Sequence, residues 1–407
     1  LSGPRQVGGR VRGAAEVTPH LLRSTLQARK DWIAAHRDAI NAWGNMYRWA
    51  TLMSSALAMG YKSEFASYAQ WEMGGAPSEL VFEDPKTRTT VIIKMTEGCV
   101  QGGNISGSAF NVLQAIVVRE VYRNGTHRVD PGPEELEDVI CMYDDTYLYG
   151  TPRLVMERTK MLERALAEVG IQYHRDKKRN IYGYGNQYTE ADKRRAARMG
   201  YKWLDANEGI MVTGAPVGSD QYERRHAEAK VDAIEAQLRK LRDVVTRQVT
   251  TVTRSLRQWV FQVVRLCMPA QFNHVLRTVP PHNTVDAAKR LDTLLADFVM
   301  WLVDVRADAT TTPSRNQLAE VILLQISRGG MGITNSTATA EAAYVGSWAL
   351  VGERIGQLRP ELKKDGQFPT PPCMEELYEI MAKPGFRGVL SGLGVSEESI
   401  LTHSVNK

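Results

Sequence analysis

Two adjacent carboxylates in the stretch VICMYDDTYLYG, residues 139–150, are the first candidates for chemistry in this sequence. Asp144 and Asp145 interrupt a strand-like apolar run, where neighbouring carboxylates repel each other and gain nothing from burial. One interpretation is the tip of a β-hairpin, where Asp tolerates the turn and stays solvated. The other is a site for a hard cation such as Mg²⁺ at a tight turn between two strands. The pair alone does not decide between them.

A nucleotidyl-transfer site with two metal ions needs carboxylates from at least two separate elements. The partner of Asp144 should therefore lie at the end of another strand. The stretch AAHRDAINAWGN offers Asp38, which is followed by small residues and then by Trp43. We expect Asp38 and Asp144 to lie at neighbouring strand ends with their carboxylates close together.

The elements that must position these residues follow from hydrophobic periodicity. Helical patterns at 18–35 and 45–70 precede two strands, SELVF and TTVIIKM, around the turn EDPKTR. A helix at 106–123, a strand–turn–strand unit carrying the two aspartates and an amphipathic helix closed by Gly170 come next. Strand patterns end near residue 220, and helices are predicted at 221–268, 284–305, 313–327, 337–356 and 374–382.

Composition limits the classes of protein to which the chain can belong. Its 407 residues, with 43% hydrophobic and 24% charged residues, are typical of a globular protein with two or three domains. No uncharged apolar run approaches the ~18 residues of a membrane span, so no membrane partner is expected. The cysteines are far apart without CxxC spacing, which argues against a zinc site and a disulfide framework and indicates a reducing compartment.

The first residues form a basic segment. LSGPRQVGGRVRGAAE holds Arg5, Arg10 and Arg12 and no acid before Glu16, a mixture that predicts an extended arm at 1–17. The arm is interpreted either as a linker or remnant, or as a segment lying on RNA phosphates. Because the sequence begins at Leu1, we expect a processed product or a fragment.

Five stretches resemble, in order, the palm motifs of reverse transcriptases. They are DAINAW (38–43), EGCVQGGNISGSAFNVL (97–113), MYDDTYLYG (142–150), GIQYHRDK (170–177) and VTGAPVGS (212–219). LCMPAQFNHVLRTVPP and RGGMGITNS are similar to the segments after the palm in non-LTR, LINE-like retroelement enzymes. The resemblance covers roughly residues 30–350. It implies an α+β fold: a right-hand polymerase palm with an antiparallel sheet and remnant fingers at 18–220, a helical thumb at 221–281 and a helical C-terminal region at 282–407.

The resemblance also implies roles for individual residues. Asp38 and Asp144 correspond to the metal ligands, with Mg²⁺ as the cofactor if the site is active, and Asp145 to a supporting carboxylate. Lys177 corresponds to the general acid, for which a solvated charge is the alternative. The remaining positions correspond to nucleotide, template and primer contacts: Trp43, Gln101, Gly102 and Gly214. Trp43 as a core aromatic and Gln101 as a helix cap remain open alternatives.

The sequence departs from the family pattern at several points. The middle motif has Gln101-Gly102-Gly103-Asn104, without the usual acid and proline, and Met142 replaces the aromatic expected before the aspartates. Residues that build fingers and grip the triphosphate are not visible before Asp38. Phosphoryl transfer depends mainly on positioning and charge neutralisation, so these departures predict weak polymerisation or none.

Two hypotheses are consistent with these patterns. The first is a reverse-transcriptase-derived RNA-binding protein that serves with other proteins as a structural component of a ribonucleoprotein such as an organellar ribosome. The alternative is an active RNA-directed DNA polymerase of a non-LTR retroelement, present as a palm and thumb fragment. Mitochondrial localisation is the expectation, with the nucleus as the alternative.

A basic stretch supplies the predicted contact with RNA or an RNA–DNA hybrid. Seven cations against one acid, Asp243, lie in a predicted helix whose apolar residues recur at a spacing of three to four. A solvated face is the alternative, although such faces usually mix charges of both signs. The predicted nucleic-acid-binding residues are Arg239, Lys240, Arg242, Arg247, Arg254, Arg257 and Arg265.

Overall fold

A computed structural model gives the fold. It describes residues 5–8, 11–75, 78–99, 105–123, 137–174, 179–185, 188–247, 253–305, 314–358 and 371–392. Gln101, Gly102 and Lys177 lie outside the described residues, as does the side chain of Arg254. The roles proposed for these four residues therefore stay predictions.

The described residues form helices and strands along most of their length. The strands are β1 (Ile33–Asp38), β2 (Ser78–Glu83), β3 (Thr90–Met95), β4 (Glu137–Met142), β5 (Asp145–Gly150), β6 (Asn180–Tyr182), β7 (Lys202–Trp203), β8 (Gly209–Val212) and β9 (Ala215–Gly218). The helices are α1 (Ala14–Ala28), α2 (Ala42–Asn45), α3 (Arg48–Met59), α4 (Glu64–Met73), α5 (Ser106–Arg123), α6 (Pro152–Ala167), α7 (Glu190–Arg198), α8 (Asp220–Arg247), α9 (Thr253–Cys267), α10 (Asn273–Thr278), α11 (Val285–Leu302), α12 (Arg315–Leu323), α13 (Ser336–Leu358), α14 (Pro372–Ala382) and α15 (Pro384–Gly392). Within this part of the chain, no helix is long and apolar enough to cross a membrane.

The chain divides into two compact units. The first contains Leu1–Thr18 and Thr25–Ala206, and the second contains Pro19–Ser24 and Asn207–Lys407. The hairpin of β8 and β9 therefore belongs to the second unit, although the strand patterns of the sequence grouped it with the preceding strands.

A five-stranded sheet forms the scaffold of the first unit, with the strand order β4-β5-β1-β6-β7. Neighbouring strands are antiparallel except for the parallel pair β6 and β7. β4 and β5 are rich in β-branched and aromatic residues, which favour a pleated, half-buried surface. The mixed α and β content and the mainly antiparallel sheet agree with the predicted fold class, whereas the palm and thumb assignments stay predictions.

The core of the first unit joins this sheet to several helices, among them α5 and α6. α5 contributes Phe110 and Leu113, α6 contributes Val155 and Leu162, and β5 contributes Leu148. In α5 and α6 these residues recur at helical spacing, so each helix has one apolar face, whereas β5 is buried on both faces from residue 146 to residue 150. This burial fixes the register of β5, and with it the position of the aspartates at its start.

The predicted basic arm at 1–17 differs from the structure. Residues 5–8 lie along β4, where the Val7 amide donates to the Cys141 carbonyl at 2.8 Å and the Cys141 amide donates to the Arg5 carbonyl at 2.8 Å. Val7 is fully buried, and the Arg5 guanidinium pairs with Asp138 at 2.5 Å. Helix α1 already begins at Ala14. Edge-strand hydrogen bonds and the burial of Val7, which composition does not reveal, hold this segment.

The predicted strand pair around EDPKTR is confirmed as a separate antiparallel hairpin, β2 and β3. Val81 pairs with Ile92, and Phe82 pairs with Val91, so apolar side chains lie on both faces. These four side chains and Ile93 are exposed.

The second unit is helical apart from the β8–β9 hairpin. Its core takes side chains from α8, α9, α10, α11 and α13. Within the predicted helix at 221–268 the structure describes α8 and α9, and residues 248–252 between them lie outside the described part. On α9, Val260 and Val264 are buried, whereas Val263 is 38% exposed.

Candidate active site

Asp38 and Asp145 lie opposite each other on neighbouring strands. Asp38 is the last residue of β1 and pairs in register with Asp145, the first residue of β5. Asp144 precedes Asp145 in the two-residue turn that joins β4 to β5. The predicted placement of Asp38 and Asp144 at neighbouring strand ends is therefore confirmed, whereas the closeness of their carboxylates stays a prediction. Like charges directly opposite each other on paired strands are destabilising, so neighbouring groups, of which His36 beside Asp145 is one, have to stabilise the pair.

The turn that carries Asp144 has strained backbone geometry. Tyr143 has φ 53°, in the left-handed region that favours glycine. A two-residue hairpin turn of this kind normally takes Gly, Asn or Asp at that position. A bulky residue held in a sparsely populated region costs on the order of 1–3 kcal/mol, and such strain persists only where the surroundings enforce it.

Gln6 is the side chain that holds this turn. Its Oε1 accepts from the Tyr143 amide at 3.1 Å, and its Nε2 donates to the Tyr143 carbonyl at 3.4 Å. Gln6 also bonds the side chain of Gln114 on α5. Sequence reasoning missed Gln6, because it precedes the turn by 137 residues and lies in a stretch whose composition predicts an arm.

His36 contacts the supporting carboxylate. Its Nε2 lies 2.9 Å from Asp145 Oδ1, and its ring stacks on Tyr147 with centroids 4.5 Å apart. His36 is buried, so this contact fixes the orientation of Asp145. One signal for His36 was present in the sequence: residues two apart in a strand point to the same face, so His36 shares a face with Asp38.

A chain of buried hydroxyl and amide groups follows the aspartate pair on the β5 side. Gln114 Nε2 donates to Thr146 Oγ1 at 3.2 Å, and the Tyr173 hydroxyl donates to the same oxygen at 2.9 Å. Burial raises the pKa of Tyr173, so its hydroxyl stays protonated and acts as a donor. The backbone of Tyr173 also forms an isolated antiparallel β-bridge with Ala39, the residue that follows Asp38. The polar chain thus links the two strand ends that carry the carboxylates.

Trp43 lies beside the strained turn. It is partly buried in α2, with its ring centroid 5.3 Å from Phe110 and 6.2 Å from Tyr143. This position fits the core aromatic that was the open alternative, and a contact with a sugar stays a prediction.

Arg37 is a buried charge adjacent to Asp38 that the sequence did not single out. It pairs with Glu163 at 2.5 Å and lies over the ring of Tyr173 at 4.9 Å. Arg37 and Asp38 are consecutive in β1, so their side chains point to opposite faces of the sheet. Arg37 therefore anchors the end of β1 from the face opposite Asp38.

Gly214 belongs to the second unit. With Thr213 it forms the turn between β8 and β9, and φ is 48° at Thr213 and 82° at Gly214. Two positive φ values in a two-residue loop are typical of a type I′ hairpin. His274 Nε2 contacts the Thr213 carbonyl at 3.1 Å. The predicted turn is present, and its role as a primer grip stays a prediction.

The cations of α8 and α9 fall into two groups. Arg239 pairs with Glu235, the Arg242 guanidinium lies 4.7 Å from the Trp301 ring centroid, and Arg257 donates to the Leu302 carbonyl at 3.0 Å. Arg265 is half-buried, whereas Lys240 and Arg247 are exposed on α8. Arg239 and Arg242 are exposed as well, and Glu235 offsets the charge of Arg239, whereas Arg257 and Arg265 are half-buried.

Comparisons with known proteins leave the family open. No family model and no curated protein matches the chain. Three solved structures are similar: telomerase from Candida albicans in complex with a TWJ fragment of telomeric RNA (11% identity, TM-score 0.44), apo telomerase from Candida tropicalis (10%, 0.37) and Candida tropicalis telomerase with the TWJ fragment (10%, 0.36). They align with 94%, 93% and 79% of this chain, which spans 56%, 58% and 53% of theirs. Likeness at these TM-scores carries no conclusion about function.

Among the residues that the structure describes, no three His, Cys, Asp or Glu side chains form a group that could hold a metal ion. A cation at Asp38 and Asp144 would therefore take its other ligands from water or from substrate oxygens. Mg²⁺ is commonly held in this way, by one or two carboxylates together with phosphates. The hard oxygen donors present at the two strand ends fit that mode of binding.

Proposed function

We propose that this chain is a reverse-transcriptase-like, RNA-binding protein in which Asp38 and Asp144 form a site for a divalent cation. One observation carries the proposal: the register that pairs Asp38 with Asp145. It brings carboxylates from two separate elements to one edge of an antiparallel sheet, as nucleotidyl transfer requires. The order of the five palm-like motifs in the sequence supports the same conclusion.

Polymerisation by this chain alone is proposed to be weak or absent, with a structural role in a ribonucleoprotein. Gly103 in place of the usual acid supports this proposal. A bound Mg²⁺ would neutralise negative charge on the attacking oxygen and on the phosphates. The protein's own contribution is to hold Asp38 and Asp144 at adjacent strand ends and to orient Asp145 through His36.

Binding of Mn²⁺, measured by electron paramagnetic resonance, tests the cation site. The full chain should bind Mn²⁺, and Asp144→Asn should weaken binding about tenfold or more because it removes one of two charged ligands. Asp84→Asn in the turn between β2 and β3 is the matched control, since its carboxylate accepts from the Lys86 amide at 2.8 Å and contacts neither residues 5–8 nor the strand ends of the candidate site. Equal affinity in wild type and Asp144→Asn would refute the site.

An active RNA-directed DNA polymerase is the second candidate. The presence of Asp38, Asp144 and Asp145 together at the strand ends favours it. Primer extension on an RNA template with Mg²⁺ or Mn²⁺ separates the two proposals. Robust extension that Asp144→Ala abolishes would establish the polymerase, and extension at background level would favour the RNA-binding protein.

A further inference from the structure

Residues 5–8 contact the strained turn at the centre of the candidate site. We propose that Gln6 is a positioning residue, which holds the Tyr143–Asp144 turn in the conformation that places Asp144 beside Asp38. The proposal rests on the proposed cation site for its functional meaning. Its structural basis is separate: one side chain bonds both the amide and the carbonyl of the residue with unfavourable φ.

The Gln6 amide is itself fixed in place. Gln6 is 2% exposed, and its Oε1 also accepts from the Gly8 amide at 2.8 Å. Its Nε2 bonds the Gln114 side chain, while backbone hydrogen bonds hold Arg5 and Val7 on Cys141. The side chain therefore has a single satisfied orientation, and rotation would leave buried polar groups without partners.

Gly8 permits the close approach of this segment. A Cβ atom at residue 8 would lie 2.7 Å from the Tyr143 amide nitrogen and 2.9 Å from Gln6 Oε1. Contacts this short do not occur for real Cβ atoms, so Gly8→Ala must displace the turn or the segment. Asn111 Nδ2 donates to the Gly8 carbonyl at 2.9 Å, which anchors the same residue from α5.

The chemistry required at residue 6 is specific to glutamine. The position needs an acceptor for the Tyr143 amide and a donor for the Tyr143 carbonyl and for Gln114. Glutamine supplies both at this length, glutamate supplies only the acceptor when ionised, and leucine supplies neither. Gln114, which the Gln6 amide contacts, also donates to Thr146. These contacts therefore hold the residue before Asp144, which is Tyr143, and the residue after Asp145, which is Thr146.

A double-mutant cycle tests the proposal, because Tyr143→Gly removes the strain that Gln6 holds. In the Tyr143 background, Gln6→Leu should speed hydrogen exchange of the Tyr143 amide about tenfold, since it removes the amide's acceptor and frees the turn. It should also weaken Mn²⁺ binding about fivefold, because Asp144 loses its fixed position. In the Tyr143→Gly background, the same change should weaken Mn²⁺ binding by less than about twofold.

The controls separate positioning from simple loss of stability. Thr159→Val removes a buried hydroxyl from α6 in the same unit, where it donates to the Val155 carbonyl at 2.7 Å. It should leave both the exchange of residues 139–148 and Mn²⁺ binding unchanged. If Gln6→Leu does not fold, Gln6→Met replaces it in the cycle, because it keeps the length of the glutamine side chain and lacks only its amide.

The two proposals fail by different outcomes. Unchanged exchange of the Tyr143 amide in folded Gln6→Leu would overturn the role of Gln6, and so would an equal loss of Mn²⁺ binding in both backgrounds. Absence of Mn²⁺ binding by the wild type would overturn the cation site. In that case the exchange measurement still decides whether Gln6 positions the turn.

Discussion

Arg23 is a charged side chain buried in the second unit. It is fully buried, and it donates to Glu223 at 2.9 Å, to the Pro216 carbonyl at 2.7 Å and to the Thr278 carbonyl at 2.5 Å. Burial raises the pKa of Glu223, while the adjacent guanidinium opposes that rise. Neither charge is stable without the other in this environment.

Arg23→Ala should therefore lower the free energy of unfolding of the second unit by about 3–5 kcal/mol, because it leaves Glu223 buried without its counter-charge. Chemical denaturation measures the change. Arg225→Ala, an exposed position on α8, is the control and should stay within about 0.5 kcal/mol. A loss of less than about 1 kcal/mol in Arg23→Ala would contradict the structural role given to this pair.

At the residue scale, the sequence predicted the carboxylates but not the side chains that hold them. Asp144 was found because adjacent acids in an apolar strand are anomalous, and Asp38 because a two-metal site needs a carboxylate from a second element. His36 contacts Asp145, which lies 109 residues later in the chain. Gln6 contacts Tyr143, which lies 137 residues later. Their residue types are common, and their contacts depend on strand register, which a single sequence does not show.

Among the described residues of the predicted nucleic-acid-binding set, the exposed cations lie on α8. Lys240→Glu with Arg247→Glu should weaken RNA binding about tenfold or more and reduce the salt dependence of log K, because fewer phosphates are neutralised. Filter binding at several salt concentrations measures both quantities. The stability of the chain should not change, since both side chains are exposed.

Arg257→Glu is the informative comparison on α9. Its guanidinium donates to the Leu302 carbonyl, so the change to glutamate should lower the stability of the second unit. Any loss of RNA binding in this variant would then follow from the loss of stability. RNA affinity that is unchanged in the α8 double variant would show that this helix face is only solvated. The sequence predicted the seven cations as one binding set, because helical spacing does not show which of them have partners inside the protein.

The β2–β3 hairpin exposes apolar side chains on both faces. A two-stranded hairpin is marginal in water, and exposed apolar strands promote association. Ile92→Lys should increase the soluble monomer fraction in sedimentation experiments without lowering the melting temperature, because Ile92 is 54% exposed. Ile33→Lys, in the buried strand β1, should unfold the chain and provides the contrast. More aggregation in Ile92→Lys than in wild type would contradict this account.

At the element scale, strand alternation and turn residues predicted the β2–β3 and β4–β5 hairpins. They did not predict the docking of residues 5–8, because Gly, Pro and Arg do not form a periodic pattern. Nor did they predict the end of α1 at Ala28. The apolar residues of β1 continue the helical spacing of α1 in the sequence, but they are paired in the sheet instead.

For the whole molecule, the second unit should respond to pH through His282. Its Nδ1 lies 2.7 Å from Glu376 on α14 and its Nε2 3.3 Å from Asp220 on α8. The hydrogen bond with Glu376 raises the pKa of His282 above its ordinary value of about 6.5, while burial opposes the rise. The folded state therefore binds this proton more tightly than the unfolded state does.

The stabilisation from His282 should be complete below pH 6.5 and be lost as the pH rises through the raised pKa. Thermal unfolding between about pH 6 and 9 measures this loss, and His282→Gln should flatten it in that range. His20 has the opposite pH dependence. Burial lowers its pKa, so the stability that depends on its neutral form weakens as the pH falls below about 6.5. An unchanged slope in His282→Gln would exclude His282 as the cause.

The assignment of Pro19–Ser24 to the second unit has a consequence for synthesis of the chain. Arg23 and His20 make their contacts with residues 200 to 327 positions later. A ribosome adds roughly 5–20 residues per second, so these side chains leave the tunnel on the order of ten seconds before Glu223 exists. During that interval Arg23 and His20 lack the residues that they contact in the folded unit, and the apolar face of α1 stays available to other molecules. Such long loop closures also predict slow folding of this unit.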